Sequence, residues 1–388
     1  MAYLESYRIS ALVQKVYVIS LTLALSSSGC QFRYILHAAS HQYRLIRDSV
    51  SVEDALKSDL IKSDQKERLR LVGAIKDFGE SELGLKKNQN YQNVYLKADQ
   101  PIYIISASPK DRLAIVSWWF PIIGDTPYLG FFDLEKAKKE KERLVREGLD
   151  VNIGTADAYS TLGWFKDPVT VNLLEKSTVE LTEIILHEMT HTTLYLKGQS
   201  EFNENLANLV GKFGSISFMR KTYGDAHPFT IEAENNLADQ RLFCSFLTSL
   251  LEMLESLYNS DISYEEKLAE REIVFKRSLK EFADIQAGFK ADRYTGFGEF
   301  GLNNAYLMSI GLYNRDFRLF EKLLIGHEYS IKNMLNHLQE IAGEKKDMLE
   351  WMKNTSSPRA DYWSPTDRSP WLPAKAGDII GTHSNVRF

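Results

Sequence analysis

Apolar residues recur at helical spacing over most of the C-terminal half of the chain. From residue 177 to 353 they follow the period of an α-helix and proline is almost absent, which predicts a nearly continuous series of helices. Residues 31–85 show the same period, so helices are expected there as well.

The region between these stretches has a different character, because aromatic and β-branched residues dominate it. Runs separated by turn-forming residues predict three strands of an antiparallel sheet, at residues 103–106, 113–120 and 128–132. Residues 124–127 are predicted to be a turn. A charged helix at 134–147 and a fourth strand at 150–159 should follow. The pattern therefore predicts an α+β fold, rich in helix, with a small antiparallel sheet.

Composition limits the choice of partners. The chain has 388 residues, of which 44% are hydrophobic, and this is enough to bury a sizeable core. The formal net charge is −5. Because no basic excess is present to neutralise phosphates, no nucleic-acid partner is expected.

Residues 1–29 are predicted to be a signal peptide of the lipoprotein type. Arg8 and Lys15 precede an apolar run at 16–25 that is too short to span a bilayer. Small residues ending in Gly29 and Cys30 resemble a bacterial lipobox, in which Cys30 would carry the lipid. The expected location is the bacterial cell envelope, with a lipid anchor in the membrane and the protein facing the periplasm. The alternative is a buried cysteine after a short N-terminal helix.

The remaining chain is predicted to form one functional domain at 30–353. It would comprise N-terminal helices, a sheet at about 95–160 and a helical part at 177–353. Residues 354–388 hold four prolines among Ser, Asp and Gly, and should form an extended or disordered tail. Cys244 lies in an apolar helical stretch and is expected to be a core residue.

The strongest chemical signal is an H-E-x-x-H pattern at 187–191. It lies in a helical stretch with a buried stripe, so His187 and His191 share one helix face and can present two imidazoles to one ion. Zinc favours such ligands in a tetrahedral shell with one open position. Glu188 would then be the general base that activates water. The alternative is a pair of surface histidines on an exposed helix.

Zinc requires a third protein ligand, and Glu204 is predicted to supply it. Gly198 should end the first helix, and Ser200 or Asn203 should cap the next one. His191 and Glu204 are equally far from this turn, so they should face each other across a helical hairpin. Glu201 is the rival ligand, although it is expected to lie in the turn.

The stretch 186–207, in which H-E-x-x-H is followed by F-N-E-x-x-A, resembles a zinc peptidase of the gluzincin type. Segments over about residues 29–320 are similar to a bacterial family of predicted aminopeptidases, many of them lipoproteins. They are residues 29–32, 119–124, 130–133, 158–168 and 302–305. The resemblance implies a zincin-like helical hairpin that holds Zn²⁺, a peptide substrate and aminopeptidase activity.

The same resemblance implies that residues 157–168 lie beside the site, where Tyr159 and Trp164 would bind the substrate. The alternative is that both aromatics belong to the core. Glu201 or Asp157 would bind the free amine of the substrate.

Peptide hydrolysis also needs a donor to the oxyanion. Tyr306 and Tyr313 share one face of a predicted helix, and Tyr313 is the preferred candidate. The function predicted from these residues is zinc-dependent peptide hydrolysis. The alternatives are a non-catalytic envelope lipoprotein with a structural zinc site, and a metallohydrolase acting on other substrates.

Overall fold

The structure is a computed structural model and describes residues 43–59, 61–97, 101–120, 124–156, 167–344 and 347–355. It is rich in helix and contains a small antiparallel sheet, which confirms the predicted α+β class. The predicted signal peptide with Cys30 lies outside the described residues, as do Asp157, Tyr159, Trp164 and residues 356–388 of the tail.

The described strands form three small sheets. The strands are β1 (Val50–Ser51), β2 (Asn93–Tyr95), β3 (Ile102–Ser108), β4 (Trp118–Phe120), β5 (Gly124–Thr126), β6 (Leu129–Phe131), β7 (Asp150–Ala156) and β8 (Val169–Thr170). In the main sheet β3 lies between β6 and β7 and is antiparallel to both. The pairing of β3 with β7 runs from Ile102 opposite Ala156 to Ser108 opposite Asp150.

Two details of the sheet prediction are wrong. Of the strand predicted at 113–120, only β4 forms. Leu113, at the start of the predicted strand, packs against a cluster of helical residues instead of pairing with another strand. Residues 124–126, predicted as part of a turn, form β5 and pair with β4. A further sheet joins β2 to β8 in parallel, a pairing between distant segments that local pattern does not indicate.

Helices make up most of the described chain. They are α1 (Val52–Lys57), α2 (Ser63–Ser81), α3 (Leu134–Arg146), α4 (Val171–Leu174), α5 (Thr178–Thr193), α6 (Ser200–Tyr223), α7 (Pro228–Tyr258), α8 (Tyr264–Gln286), α9 (Asn304–Asn314), α10 (Phe317–Gly326), α11 (Ile331–Ala342) and α12 (Met348–Thr355). Across the described segments, none of the helices combines the length and apolar character needed to span a bilayer.

Helix α5 begins at a capping box and is buried along its length. The hydroxyl of Ser177 accepts from the backbone of Glu180, and the Glu180 carboxylate accepts in return from the backbone of Ser177. Leu181, Ile185 and Leu186 are fully buried in the largest hydrophobic cluster. This burial fixes which face of α5 points away from the core.

Helix α6 follows after a short loop, and its first turn differs from the prediction. Neither Ser200 nor Asn203 caps α6, because Gln199 occupies the cap position and its side chain makes no cap hydrogen bond. Asn203 instead exchanges two hydrogen bonds of 2.8 Å with the backbone of Leu196. Gly198 has a φ of +77°, a conformation that glycine adopts without strain.

Helices α5 and α6 approach each other closely at Gly211. A Cβ atom added there would lie 2.8 Å from the backbone oxygen of Glu183 and 3.6 Å from Cβ of His187. The absence of a side chain at Gly211 therefore sets the distance between the two helices.

A buried polar cluster joins the main sheet to the helices. Arg271 donates to Asp150 at 2.9 Å, and the same carboxylate accepts from the backbone nitrogen of Asn304 at 3.0 Å. The hydroxyl of Tyr258 donates to the Asn304 side chain at 2.8 Å. These contacts fix the start of α9 against β7.

Candidate metal centre

Three predicted metal ligands lie together between α5 and α6. The Nε2 atoms of His187 and His191 are 3.1 Å apart. Oε2 of Glu204 is 3.3 Å from His187 Nε2 and 3.6 Å from His191 Nε2. Within the described ranges, this is the one group of three or more His, Cys, Asp or Glu side chains arranged so that it could hold a metal ion.

The three donor atoms fit the shell that zinc prefers. Bonds of about 2.0–2.2 Å place tetrahedral ligands roughly 3.3–3.6 Å apart. The measured separations of 3.1, 3.3 and 3.6 Å are close to this spacing. Two imidazoles and a carboxylate form the donor set of zinc sites with an open position. The side chains of His187 and Glu204 are 18% and 13% exposed, so one side of the group is accessible to solvent.

Opposite charges are stabilised within this group. Burial opposes ionisation of Glu204, but the attraction of His191 and hydrogen bonds from both imidazoles hold the pKa of the carboxyl below its usual value. Burial also disfavours the charge on His191, yet Glu204 raises the net pKa of that imidazole. A bound cation would replace the proton that this pair retains without metal.

Glu188 is next to the first histidine and is partly buried. Its Oε2 atom is buried and has no hydrogen-bond partner among the described residues. An unpaired buried carboxylate oxygen costs free energy, which a hydrogen bond from water or substrate would offset.

Tyr313 reaches the same site from α9. Its ring lies 6.2 Å from the ring of His187 at an angle of 31°. Burial, followed by the negative charge of Glu204, raises the pKa of the Tyr313 phenol well above its usual value. The phenol therefore keeps its proton and can act as a hydrogen-bond donor.

Tyr306 lies elsewhere, although the two tyrosines were predicted to share a helix face. Its ring packs 5.8 Å from Phe297 in a separate aromatic cluster. Seven residues of α-helix separate the two side chains by about 10 Å along the axis of α9. Of these two tyrosines of α9, Tyr313 is the one that lies against the histidine pair.

Glu201 has a different set of neighbours. Burial and then the charge of Asp316 raise its pKa, while Arg315 and Lys353 oppose the change. These groups belong to the link between α9 and α10 and to α12. The role of Glu201 in binding substrate stays a prediction, as do the roles of Tyr159 and Trp164.

Tyr91 is a residue near the site that sequence reasoning missed. Its backbone adopts a φ of 63°, and its nitrogen donates to the carbonyl of Asp167 at 2.8 Å. Burial and then the charge of Glu188 raise the pKa of its phenol well above normal. Tyr91 lies in a polar turn of the sequence, where no local signal would have selected it.

The loop that carries Tyr91 is attached to the end of α5. Asn88 donates to the hydroxyl of Thr192 at 2.9 Å, and the backbone of Lys86 donates to Thr193 at 2.9 Å. Thr192 is one helical turn after Glu188, so the loop runs along the face that carries the proposed base.

Tyr195 is a second missed residue. Its ring lies 6.2 Å from that of His191 at 78°. Burial and then Glu204 raise the pKa of its phenol. Its spacing of four residues from His191 could have identified Tyr195 in the sequence, although α5 ends before this residue.

An ion triad supports α5 one turn before His187, with Glu183 and Lys212 buried and the Arg293 side chain 27% exposed. Lys212 of α6 donates to Oε2 of Glu183 at 2.9 Å, and Arg293 donates to the same oxygen. Burial lowers the pKa of Lys212 to about 8, although Glu183 opposes the change. The triad links α5 and α6 to the irregular segment 287–303.

Comparison with known proteins gives one family match. A family model described as "putative aminopeptidase" matches residues 33–350. No curated protein and no solved structure matches the chain.

Proposed function

Because the chain belongs to the family described as putative aminopeptidases, we propose that it is a zinc-dependent aminopeptidase. His187, His191 and Glu204 would hold the metal, and Glu188 would be the general base. The observation that carries the proposal is the mutual spacing of the three donor atoms, at 3.1–3.6 Å, beside the buried Oε2 atom of Glu188, which has no hydrogen-bond partner in the described part of the chain.

Zinc held by this group would polarise the peptide carbonyl and increase the acidity of a water molecule. Glu188 takes the proton from the attacking water through its carboxylate. It then passes that proton to the leaving amine as the carbon–nitrogen bond breaks. The protonated phenol of Tyr313 donates to the oxyanion that forms on the carbonyl oxygen.

Metal analysis of the purified protein tests the ligand set. The wild type should retain one zinc per chain, and His191→Ala should lose it. His327→Ala is the matched control, because Nε2 of His327 also lies 2.9 Å from the nitrogen of another histidine, His337. A His191→Ala protein with full zinc content would refute the ligand assignment.

Hydrolysis assays test the reaction. Glu188→Gln should retain zinc while turnover falls by a factor of about 10² to 10⁴. Peptides with a free amine should be cleaved, and their N-acetylated equivalents should not. Full turnover by Glu188→Gln would exclude Glu188 as the base, and equal cleavage of both peptides would exclude aminopeptidase specificity.

The same variants separate the alternative functions. A structural zinc site would stabilise the protein without supporting hydrolysis in the wild type. A metallohydrolase for other substrates would leave every peptide intact but show turnover of esters or amides that depends on Glu188.

We further propose that the protein acts at the periplasmic side of a bacterial envelope membrane, anchored through Cys30. The support is the sequence alone, in which Gly29 and Cys30 follow an apolar run. Cys30→Ala should move the protein from the membrane fraction to the soluble fraction and prevent labelling by radioactive palmitate. Unchanged fractionation and labelling would refute lipidation at Cys30.

A further inference from the structure

Two asparagines of α6 bind the last turn of α9. Nδ2 of Asn208 donates to the carbonyl oxygen of Tyr313 at 2.7 Å. Nδ2 of Asn205 donates to the carbonyl oxygen of Leu312 at 2.7 Å and to the carbonyl oxygen of Glu201 at 2.9 Å. Two consecutive carbonyls of α9 are thus held by two amides of one neighbouring helix.

These carbonyls need partners from outside α9. The helix ends at Asn314. The last four carbonyl oxygens of an α-helix accept no hydrogen bond from within the helix unless its final turn tightens. A side-chain amide that donates to them stabilises the helix end and also fixes its position along the axis. Sliding by one residue would move the Tyr313 phenol by about 1.5 Å.

The helix that provides these amides also carries a proposed metal ligand. Asn208 follows Glu204 by four residues, so both side chains lie on the same face of α6. Tyr313 contacts α5 through its ring, which lies 6.2 Å from that of His187, and α6 through its carbonyl oxygen, which accepts from Asn208 at 2.7 Å. A single rigid element therefore controls both the ligand and the position of the phenol.

We infer that Asn208 is a positioning residue that fixes the phenol of Tyr313 relative to the metal group. The inference rests on the proposed function, in which Tyr313 donates to the oxyanion. Asn205 is less suitable for a test, because it is fully buried and its loss would also disturb the first turn of α6. Asn208 is only partly buried, and its amide donates to the carbonyl of Tyr313.

A double-mutant cycle on the full-length zinc protein tests the inference. Asn208→Ala should lower kcat about tenfold with little change in KM or zinc content. Tyr313→Phe should lower kcat by about 10² or more. If Asn208 acts through the phenol, the double variant should be no slower than Tyr313→Phe alone.

Ser260→Ala is the matched control. The hydroxyl of Ser260 also donates to a carbonyl in the last turn of a helix, that of Leu257 in α7, at 2.6 Å, and α7 carries none of the proposed site residues. It should leave kcat unchanged. If Asn208→Ala does not fold, Asn208→Ser gives the same comparison, since its hydroxyl is too short to replace the amide.

The outcomes separate the inference from the function on which it rests. Multiplicative losses in the double variant, or an Asn208→Ala protein as active as Ser260→Ala, would overturn the positioning role while Tyr313→Phe remains slow. Full activity of Tyr313→Phe would overturn the role of Tyr313 itself. Visible spectra of the Co²⁺-loaded proteins add a readout without turnover: Asn208→Ala and Tyr313→Phe should change the spectrum alike, and a wild-type spectrum for Asn208→Ala would contradict the inference.

Discussion

The close approach of α5 and α6 predicts that Gly211→Ala will damage the metal group. The added Cβ would lie 2.8 Å from the backbone oxygen of Glu183, where real Cβ atoms essentially never approach within 3.0 Å. Because the obstructing atom belongs to the backbone of a buried helix, it cannot move aside as the end of a side chain can. The two helices must separate or rotate.

The required movement is about 0.6 Å, since ordinary contacts begin near 3.4 Å. Overpacking of this kind costs about 1–3 kcal/mol, whereas replacing glycine by alanine inside a helix contributes about 1 kcal/mol of stability. The net loss should therefore reach up to about 2 kcal/mol. His187 belongs to α5 and Glu204 belongs to α6. Because separation of the two helices would move these proposed ligands apart, zinc affinity should fall about tenfold or more.

Gly73→Ala supplies the matched control for helix propensity. Gly73 is inside α2, and a Cβ atom there would meet nothing within 4 Å. This variant should gain about 1 kcal/mol of unfolding free energy and bind zinc normally. Urea unfolding of the metal-free proteins would measure stability, and competition with a chromogenic chelator would measure zinc affinity.

A Gly211→Ala protein that is as stable as Gly73→Ala and binds zinc as tightly as the wild type would refute this prediction. Such a result would mean that the contact at Gly211 relaxes without changing the separation of α5 and α6. A stable protein with weak zinc binding would instead show that the strain is absorbed at the metal group.

Three further predictions concern metal, protons and the buried thiol. Zinc at about 1,000 times its dissociation constant should add about 4 kcal/mol to the unfolding free energy of the wild type. A chelator should remove this gain, whereas the stability of His191→Ala, which should bind no zinc, should not change. An equal wild-type midpoint with and without chelator would contradict metal binding. Without metal, the pair of His191 with Glu204 should contribute stability that is fully present below about pH 6.5 and lost as pH rises through the raised pKa of His191. Urea midpoints in chelator should therefore fall in the wild type as the pH rises above about 6.5, relative to His191→Ala, and a parallel pH dependence of the two proteins would exclude the pair as the cause. Burial raises the pKa of the Cys244 thiol to about 12, so a disulfide reagent should label this residue in a Cys30→Ala protein only as the chain unfolds; fast labelling of the native protein would contradict the structure around it.

Local periodicity was sufficient to predict several parts of the molecule. The spacing of His187 and His191 requires only helix geometry, and the position of Glu204 follows from counting residues on either side of Gly198. Strands β3, β6 and β7 follow from runs of β-branched and aromatic residues bounded by turns. In each case the residues that decide the structure are neighbours in sequence.

Other parts depend on contacts between distant segments, which a single sequence does not reveal. Tyr91 comes near Glu188 because Asn88 hydrogen-bonds to Thr192, which is 104 residues away. The parallel pairing of β2 with β8 likewise joins segments that share no pattern. The proposed role of Asn208 depends on a bond to a residue 105 positions later, and nothing about an asparagine in a helix distinguishes it from a solvated one.

The ion triad has a consequence for the irregular segment 287–303, which joins α8 to α9. Long connections without regular structure ordinarily tolerate inserted residues and proteolytic cleavage. Here Arg293 leaves that segment to neutralise Glu183, a carboxylate that is 6% exposed and one turn from His187. A displaced Arg293 would leave Lys212 as the cation that pairs with the buried carboxylate of Glu183, which should destabilise the protein. Peptide tags and engineered cleavage sites should therefore be placed elsewhere on the chain, because this connection stabilises α5, the helix that carries His187 and His191.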